Sequence, residues 1–391
     1  MAHPIIVIGA GLSGLAAAIE IESAGESCLL VDSSDHVGGK LETTLFKEAY
    51  LLDRGFQVLL PSYPELQKLG NLRSELELKY FNSGARLEMD DGPLLIANPL
   101  LHPSHLLSTG LGTYASLHDK ILVMKLLRDV QSGDSDSLLE SATGSTIDYL
   151  RAYGFSEKMI DTFWCPFFSG IFLETELKTA AGFFRYLFRM FASSPVAVPK
   201  LGIGMLPGLM AGRLKKSEIR LGTTVRRITD KGIELSNGQT ETSRVVITET
   251  KGHTCEDDQG VFGHVTSFWF SAPEPPFEGA WLSLNSRGPS RGRLINHMAV
   301  LTNTSADYAL KGDALICVSV TRERASIDVS RLLSEARLMY GVHVNDWVLL
   351  RVDEIKRAFP LYMNRHDLDT PSQQGAIARG RRAARVALQK I

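Results

Sequence analysis

The residues best placed to do chemistry lie near the start of the chain, in the run IIVIGAGLSG. Its glycines Gly9, Gly11 and Gly14 have the spacing Gly-x-Gly-x-x-Gly, directly after an apolar run. In a turn between a strand and a helix, the first glycine permits a tight bend and the second lets a pyrophosphate approach the backbone; the third lets helix and strand pack closely. The N–H groups at the helix start, around Leu12 and Ser13, then face the phosphates. The spacing therefore predicts a dinucleotide site.

A carboxylate follows at the spacing that such a site needs. The residues from Ser27 to Val31 predict a second strand, and Asp32 comes directly after it, about 18 residues beyond Gly14. In dinucleotide-binding folds, an acid at this point accepts hydrogen bonds from the hydroxyl groups of the adenosine ribose. Asp32 and the following Ser33 are therefore candidate cofactor-binding residues, although an acid that closes a strand is also an ordinary surface residue.

The elements that must position these residues are those of an α/β protein. The β-branched run Ile5–Ile8 suits a strand buried on both faces, and the alanine-rich stretch after the glycines suits a helix. Further on, Tyr50–Val58 predicts a strand that enters a glycine turn. From about 105 to 190 the apolar residues recur at helical spacing, as in 118–130, and predict a helical insertion.

The second half of the chain is richer in strand patterns. Residues 218–248 predict strands whose last member returns to the first sheet, with Asn237 and Gly238 as a hairpin turn. Residues from about 260 to 350 predict a second strand-rich block with one helix. Ser372 predicts the cap of a final helix.

The composition excludes several classes of protein. Basic residues number 42 and acidic residues 44, so a net charge of −2 gives no electrostatic reason to bind nucleic acid. The four cysteines lie too far apart for a paired-thiol or zinc motif, so no metal site is predicted, and they fit reduced thiols in the cytoplasm. The first strand begins at residue 5, which predicts no signal peptide, and no stretch has the length and apolarity of a membrane span.

Three further motifs follow in the same order: VGGK at 37–40, DRG at 53–55 and GAIARGRRAA at 375–384. With them, the sequence resembles the flavin-containing amine oxidase superfamily, which includes monoamine oxidases, protoporphyrinogen oxidases and phytoene-desaturase-like enzymes. The runs PFFSGIFL at 166–173 and PKLGIGM at 199–205 resemble the phytoene desaturase and protoporphyrinogen oxidase branch more. The resemblance implies FAD as cofactor, and oxidation of an apolar or amine-bearing small molecule by hydride transfer to the flavin.

The resemblance also implies how the chain divides. A length of 391 residues suits about two domains. We expect an α/β fold with a discontinuous, Rossmann-like FAD-binding domain of the glutathione-reductase type, which comprises 1–75, 196–250 and 355–391. The remaining segments, 76–195 and 251–354, then form a second, mixed α+β substrate domain.

Within this resemblance, Gly38, Gly39 and Lys40 match a Gly-Gly-Arg motif that reaches the cofactor. Lys40 replaces the usual arginine, and a single ammonium group makes a weaker or differently placed contact than a planar, two-pronged guanidinium. The other matches share a place beside the cofactor, at the flavin ring, at the adenine, or at the ring edge that gains negative charge on reduction. They are Arg54, Gly55, Phe56, Val225, Gly375 and Ala376.

One segment departs from the family pattern. The family has a strand that ends in Gly-Asp before the last helix, whereas this chain has the compressed run LYMNRHDLD at 361–369. Arg365 and His366, or His366 and Asp367, stand where the family has that pair. Asp367 is the candidate that replaces the missing acid, and we expect FAD to be held more loosely than in typical relatives.

No side chain is singled out as catalytic, because flavin chemistry needs mainly a substrate C–H bond held close to the flavin in a dry cavity. The sequence has no second Gly-x-Gly-x-x-Gly and no redox pair of cysteines, so we expect electrons to pass to oxygen, a quinone or another acceptor. Two alternatives stay open. One is a nicotinamide-dependent dehydrogenase with the same N-terminal fold, and the other is a degenerate relative without catalytic activity.

An aromatic-rich run extends from Phe163 to Phe191. It has three interpretations, which are an ordinary helix core, the wall of an apolar substrate site, and an exposed face for peripheral contact with a membrane. The substrate, the electron acceptor and the oligomeric state stay open.

Overall fold

The computed structural model describes residues 5–97, 114–140, 144–248, 262–286, 294–321, 327–360 and 370–390. Its strands are β1 (Ile5–Ile8), β2 (Cys28–Val31), β3 (Thr43–Phe46), β4 (Tyr50–Asp53), β5 (Lys79–Tyr80), β6 (Gly84–Met89), β7 (Gly92–Ala97), β8 (Ala197–Val198), β9 (Glu218–Arg220), β10 (Val225–Thr229), β11 (Gly232–Leu235), β12 (Thr240–Thr242), β13 (Val245–Thr248), β14 (Phe262–Ala272), β15 (Leu282–Asn285), β16 (His297–Val300), β17 (Ala314–Val320) and β18 (Val348–Pro360).

Its α-helices are α1 (Leu12–Ser23), α2 (Pro64–Gln67), α3 (Leu72–Glu75), α4 (Leu117–Gln131), α5 (Ser137–Glu140), α6 (Thr146–Tyr153), α7 (Glu157–Met159), α8 (Cys165–Phe172), α9 (Ala181–Ser193), α10 (Met205–Gly212), α11 (Leu301–Thr304), α12 (Val329–Tyr340) and α13 (Gln373–Leu388). A π-helical turn, Ile160–Trp164, joins α7 to α8.

A four-stranded parallel sheet in the order β13, β1, β2, β9 forms around the first strand. Side chains alternate between its faces, so that Ile5 and Val7 pack with α1 while Ile6 packs against Ile233 and Leu235 of the antiparallel ribbon β10–β12. The β-branched run is therefore buried on both faces, as predicted. The predicted return of the chain to this sheet is also confirmed, because β13 pairs with β1.

A seven-stranded sheet in the order β18, β14, β17, β16, β15, β6, β7 forms the second large layer. All its neighbours are antiparallel except β15 and β6. One face carries Phe268 and Phe270 and packs with α12. The other face carries Trp269 and Cys317, and it packs with β4 and with Tyr308. This second face therefore lies toward the β3–β4 hairpin.

In the described part of the chain between β7 and β8, the helices α4 to α9 follow one another, as the periodicity from about 105 to 190 predicts. In the aromatic run, Trp164, Phe168 and Phe184 are fully buried and pack edge to face, which confirms a helix core for these residues. Phe163 and Phe167 are only half-buried and stack on each other with ring centroids 5.7 Å apart. Among the described residues, none of the helices combines the length and the apolarity that crossing a bilayer requires.

The first and last helices pack directly on each other. A Cβ atom added at Gly380 of α13 would lie 2.0 Å from the carbonyl oxygen of Ser13 in α1, so only glycine permits this approach. The Ser13 hydroxyl donates a hydrogen bond of 2.6 Å to the carbonyl oxygen of Ala376. As predicted, Ser372 caps α13, and its Oγ accepts from the Gly375 N–H at 3.1 Å.

Candidate functional site

The glycine-rich turn, Gly9–Gly14, bends as the motif predicts. Gly9 has a φ of +101°, in the left-handed region that glycine favours, and its N–H donates to the Val31 carbonyl oxygen at 2.7 Å. A Cβ atom at Gly14 would lie 1.8 Å from the Gly9 carbonyl oxygen. Gly14 therefore serves the close packing of helix on strand.

The other two glycines of the turn face open space. Among the described residues, a Cβ at Gly9 would meet no heavy atom within 4 Å, and one at Gly11 would meet only the Gly38 carbonyl oxygen at 4.0 Å. Gly11 is the N-cap residue of α1, and no side chain caps this helix. The α1 N–H groups, which begin at Leu12 and Ser13, thus lie beside bare backbone with room for an anion. This cradle fits the pyrophosphate of a dinucleotide.

Asp32 lies at the end of β2, next to the glycine-rich turn. Its Oδ2 accepts from the Ala10 N–H at 2.6 Å, and its Oδ1 accepts from the Ser34 N–H at 2.8 Å. Each carboxylate oxygen keeps a further lone pair, and the side chain is half-buried, so Asp32 can also accept from a ligand hydroxyl. Ser33 beside it is exposed.

Gly38 and Gly39 close the turn from one side. Gly38 forms a parallel bridge with Gly11, and its N–H donates to the Ala10 carbonyl oxygen at 2.8 Å. A Cβ at Gly39 would lie 3.4 Å from the Gly11 Cα atom. Lys40 is exposed, and its Nζ lies 3.4 Å from the Arg357 carbonyl oxygen on β18. Lys40 therefore contacts the seven-stranded sheet.

Two other predicted residues flank the same region. Val225 begins β10 and packs with the apolar layer between the ribbon and the parallel sheet. Gly375 lies in the first turn of α13, where a Cβ would lie 1.9 Å from the Thr370 carbonyl oxygen. Ala376 contacts Ser13 of α1, as described above. The predicted residue Asp367 lies outside the described residues.

The segment after β4 crosses over the seven-stranded sheet. Gly55 has a φ of +74°, and its N–H donates to Asp353 Oδ2 of β18 at 3.3 Å. The Phe56 ring lies 5.2 Å from the imidazole of His297 on β16. Arg54 is exposed, and its N–H donates to the Glu42 carbonyl oxygen. Gly55 and Phe56 therefore contact the sheet, whereas the Arg54 side chain faces solvent.

The structure shows a buried carboxyl that the sequence did not single out as a site residue. Asp53, at the end of β4, accepts from the Thr43 hydroxyl at 2.5 Å, the Ile203 N–H at 2.9 Å and the Tyr308 hydroxyl at 3.0 Å. Burial raises the pKa of Asp53 to about 6, against the opposing effect of these donors and of Arg351. Asp53 thus links the β3–β4 hairpin to the turn before α10 through Ile203, and to the segment before β17 through Tyr308.

A row of polar side chains across the second sheet was also missed. Asp353 of β18 pairs with Ser267 of β14, Ser267 pairs with Ser319 of β17, and Ser319 pairs with His297 of β16. Directly paired residues point to the same face, so these four side chains form one line, the polar row, below Gly55 and Phe56. No local motif marks it, because each member comes from a different strand.

A glycine-rich turn open to an anion, next to a strand-terminal acid, is the arrangement typical of dinucleotide-binding α/β proteins. More narrowly, the chain belongs to the family of flavin containing amine oxidoreductases, whose sequence model matches residues 12–250. Membership implies FAD as cofactor. The residues found here fit it, because the cradle at Gly9 and Gly11 is open and uncapped.

The relatives agree on the family and differ in their reactions. A protein of Synechococcus elongatus described as a probable zeta-carotene desaturase is 26% identical over 257 residues, which are 60% of this chain and 53% of that protein. The match thus spans about half of its length.

Two solved structures share the mixed α/β fold at 16% identity. A protein of Exiguobacterium sp. 255-15, provisionally named a protoporphyrinogen oxidase, has a TM-score of 0.70 with 98% of each chain covered. Putrescine oxidase bound to putrescine has a TM-score of 0.68, with 100% of this chain and 99% of that one covered.

Proposed function

We propose that this protein is an FAD-dependent oxidoreductase that removes a hydride from an apolar or amine-bearing small molecule. The observation that carries the proposal is the open backbone at Gly9 and Gly11, at the uncapped start of α1. At Gly14 and Gly380, neighbouring backbone occupies the space that a Cβ atom would need, so close packing explains why these two residues are glycines. Packing does not explain Gly11, which has an ordinary φ of −75° and whose added Cβ would have no neighbour closer than 4.0 Å in the described part of the chain.

In this proposal the four-stranded sheet and its ribbon belong to a discontinuous, Rossmann-like FAD-binding domain, and the seven-stranded sheet belongs to the substrate domain. The pyrophosphate lies on the cradle and the adenosine ribose on Asp32. The other proposed contacts are those that the resemblance implies. They are Leu12, Ser13, Ser33, Gly38, Gly39, Lys40, Arg54, Gly55, Phe56, Val225, Asp367, Gly375 and Ala376.

FAD supplies the hydride acceptor when it is bound. The protein's own residues supply position and a dry environment. The polar row offers hydrogen-bonding groups at the base of the region that Gly55 and Phe56 cover. The half-buried rings of Phe163 and Phe167 offer apolar surface on the helical side. Oxygen or a quinone is the proposed electron acceptor.

The visible absorption spectrum of the purified protein tests this function. We expect a flavin spectrum in the wild type, after addition of FAD where purification has removed it. We expect Gly11→Val to fold, because the backbone conformation at position 11 suits any residue. We expect it to lose FAD, because the valine side chain would enter the phosphate cradle.

Gly208→Val is the matched control, because Gly208 is exposed on α10 and a Cβ there meets nothing within 4 Å. The control should keep the wild-type spectrum. If Gly11→Val retains as much FAD as the control, the cradle is wrong. A wild type that takes up no FAD supports instead a nicotinamide-dependent or degenerate relative.

A further inference from the structure

The polar row ends in a buried histidine whose environment determines its protonation. His297 is 5% exposed, and burial lowers its pKa to about 4, so the ring is neutral at pH 7. The helix α8 lies against one edge of the ring, since a Cβ at Gly170 would be 2.6 Å from His297 Nδ1. A side chain larger than hydrogen at Gly170 would displace the imidazole.

The neighbour of the ring selects its tautomer. Asn296 Nδ2 lies 3.0 Å from His297 Nδ1 and 3.5 Å from the Pro166 carbonyl oxygen. A carbonyl oxygen only accepts, so the asparagine directs its NH₂ group toward it and toward the imidazole. With the amide in this orientation His297 Nδ1 is the acceptor, and we assign the single ring proton to Nε2. This Nε2–H is buried and has no hydrogen-bond partner within the described part of the chain.

The rest of the row is neutral or already paired. Ser267 and Ser319 are fully buried, and within the described residues their hydroxyls have no hydrogen-bond partner other than the weak thiol of Cys317. Asp353 Oδ2 accepts from the Trp269 indole N–H at 2.9 Å and from Arg351 at 2.8 Å, besides Gly55. Its charge is therefore balanced by Arg351 before any ligand arrives.

We infer that the polar row is a recognition site for a neutral, oxygen-bearing group on an otherwise apolar substrate, with His297 Nε2–H as the donor to a carbonyl or hydroxyl oxygen. This inference rests on the proposed function and narrows its substrate class. An unpaired buried donor gains most from an acceptor oxygen. Among the described residues, the carboxylates near the row are Asp53 and Asp353, which each already accept from several donors, and Arg351 repels a substrate ammonium. Burying that cation costs far more than burying a ketone.

Three small probes with one carbon skeleton test the inference: acetophenone, ethylbenzene and α-methylbenzylamine. Each is titrated into FAD-loaded protein while the flavin absorption band is followed. We expect acetophenone to bind more tightly than the protonated amine. In His297→Phe, the ratio of the ethylbenzene and acetophenone Kd values should fall about tenfold, which corresponds to one hydrogen bond of about 1.4 kcal/mol. The two probes differ in hydration free energy, but this difference is the same for the wild type and the variant, so it does not affect the change in the ratio.

Two other variants separate hydrogen bonding from packing. His297→Gln keeps an N–H donor and should recover part of the acetophenone preference. His343→Phe makes the same exchange at an exposed position in the segment Gly341–Asp346, and should bind as the wild type does. Tighter binding of the amine than of acetophenone, an unchanged ratio in His297→Phe, or no binding of acetophenone to FAD-loaded protein overturns the inference.

A nitrogen NMR spectrum of histidine-labelled protein tests the donor without any cofactor. The His297 signals are those that disappear in His297→Phe, and at pH 7 they should show a neutral ring protonated at Nε2. A ring protonated at Nδ1, or a charged ring, overturns the assigned role. A wild type that binds no FAD but shows the expected tautomer would overturn the proposed function and leave this donor in place.

Discussion

The glycine-rich turn and the polar row would form their binding surfaces in opposite ways. The turn uses backbone, since it offers N–H groups and removes side chains where a ligand must come close. The polar row uses side chains from four strands that only the sheet register brings together. The turn suits a ligand part with a fixed shape and charge, such as a pyrophosphate. Because each member of the row is a side chain, a single substitution there would change the group offered to a ligand without changing the backbone.

The largest effect expected within this comparison comes from the packing glycine of the turn. In Gly14→Val the new Cβ would lie 1.8 Å from the Gly9 carbonyl oxygen, so the backbone of the turn itself would have to shift. We expect the free energy of unfolding to fall by roughly 4 kcal/mol or more, or soluble protein to be lost. Urea unfolding of this variant beside Gly11→Val measures the difference. Equal stability of the two would contradict the division into a packing glycine and a ligand glycine.

Next in size is a pH effect at Asp53, the buried carboxyl at the end of β4. Its folded pKa of about 6 exceeds the value of about 3.9 for an unfolded aspartate. The folded state is therefore favoured below pH 4, and this advantage is lost as the pH rises through 6, by about 2–3 kcal/mol in total. Asp53→Asn should remove this dependence.

The measurement is the difference in unfolding free energy between wild type and Asp53→Asn, from pH 4.5 to 7.5. That difference should change in favour of the variant from pH 4.5 to about 6 and level off above about pH 7. A difference that is constant with pH would show that Asp53 does not carry the raised pKa.

A third prediction concerns cofactor affinity. Asp32→Ala should weaken FAD binding by roughly 1–3 kcal/mol, because charged hydrogen bonds to the ribose and to the Ala10 N–H are lost. Asp35→Ala is the control, since Asp35 is an exposed acid three residues further on. Titration of FAD into cofactor-free protein gives both dissociation constants. Asp32 does not belong to the site if the two variants bind FAD equally well.

The smallest expected effect is at the contact between the first and last helices. Ser13→Ala removes the hydrogen bond to Ala376 and should cost about 1 kcal/mol in unfolding free energy. Ser23→Ala, which removes an exposed hydroxyl that bonds within the same helix, should cost close to nothing. If Ser23→Ala lowers the unfolding free energy as much as Ser13→Ala does, the loss arises within α1 and not from the contact between α1 and α13.

Local patterns in the sequence predict the parts of the molecule that local chemistry determines. The turn, β1, α1, the hairpin ribbon and the cap at Ser372 all follow from residues within a few positions of one another. The polar row could not be predicted, because Ser267, His297, Ser319 and Asp353 become neighbours only through strand register. Asp53 was visible in the motif, but its partners come from distant segments. The contacts of the proposed site residues with FAD stay predictions.

The packing of α13 on α1 has a consequence for the order in which the molecule assembles. The hydrogen bond between Ser13 and Ala376 joins residues 363 positions apart, so the packing around the helix that begins the dinucleotide cradle is completed only by a segment that is synthesised much later. Such non-local contacts are slow to form. Until α13 emerges from the ribosome, the apolar face of α1 stays uncovered and open to chaperones. Acquisition of FAD is therefore expected only after α13 has been synthesised and has packed on α1.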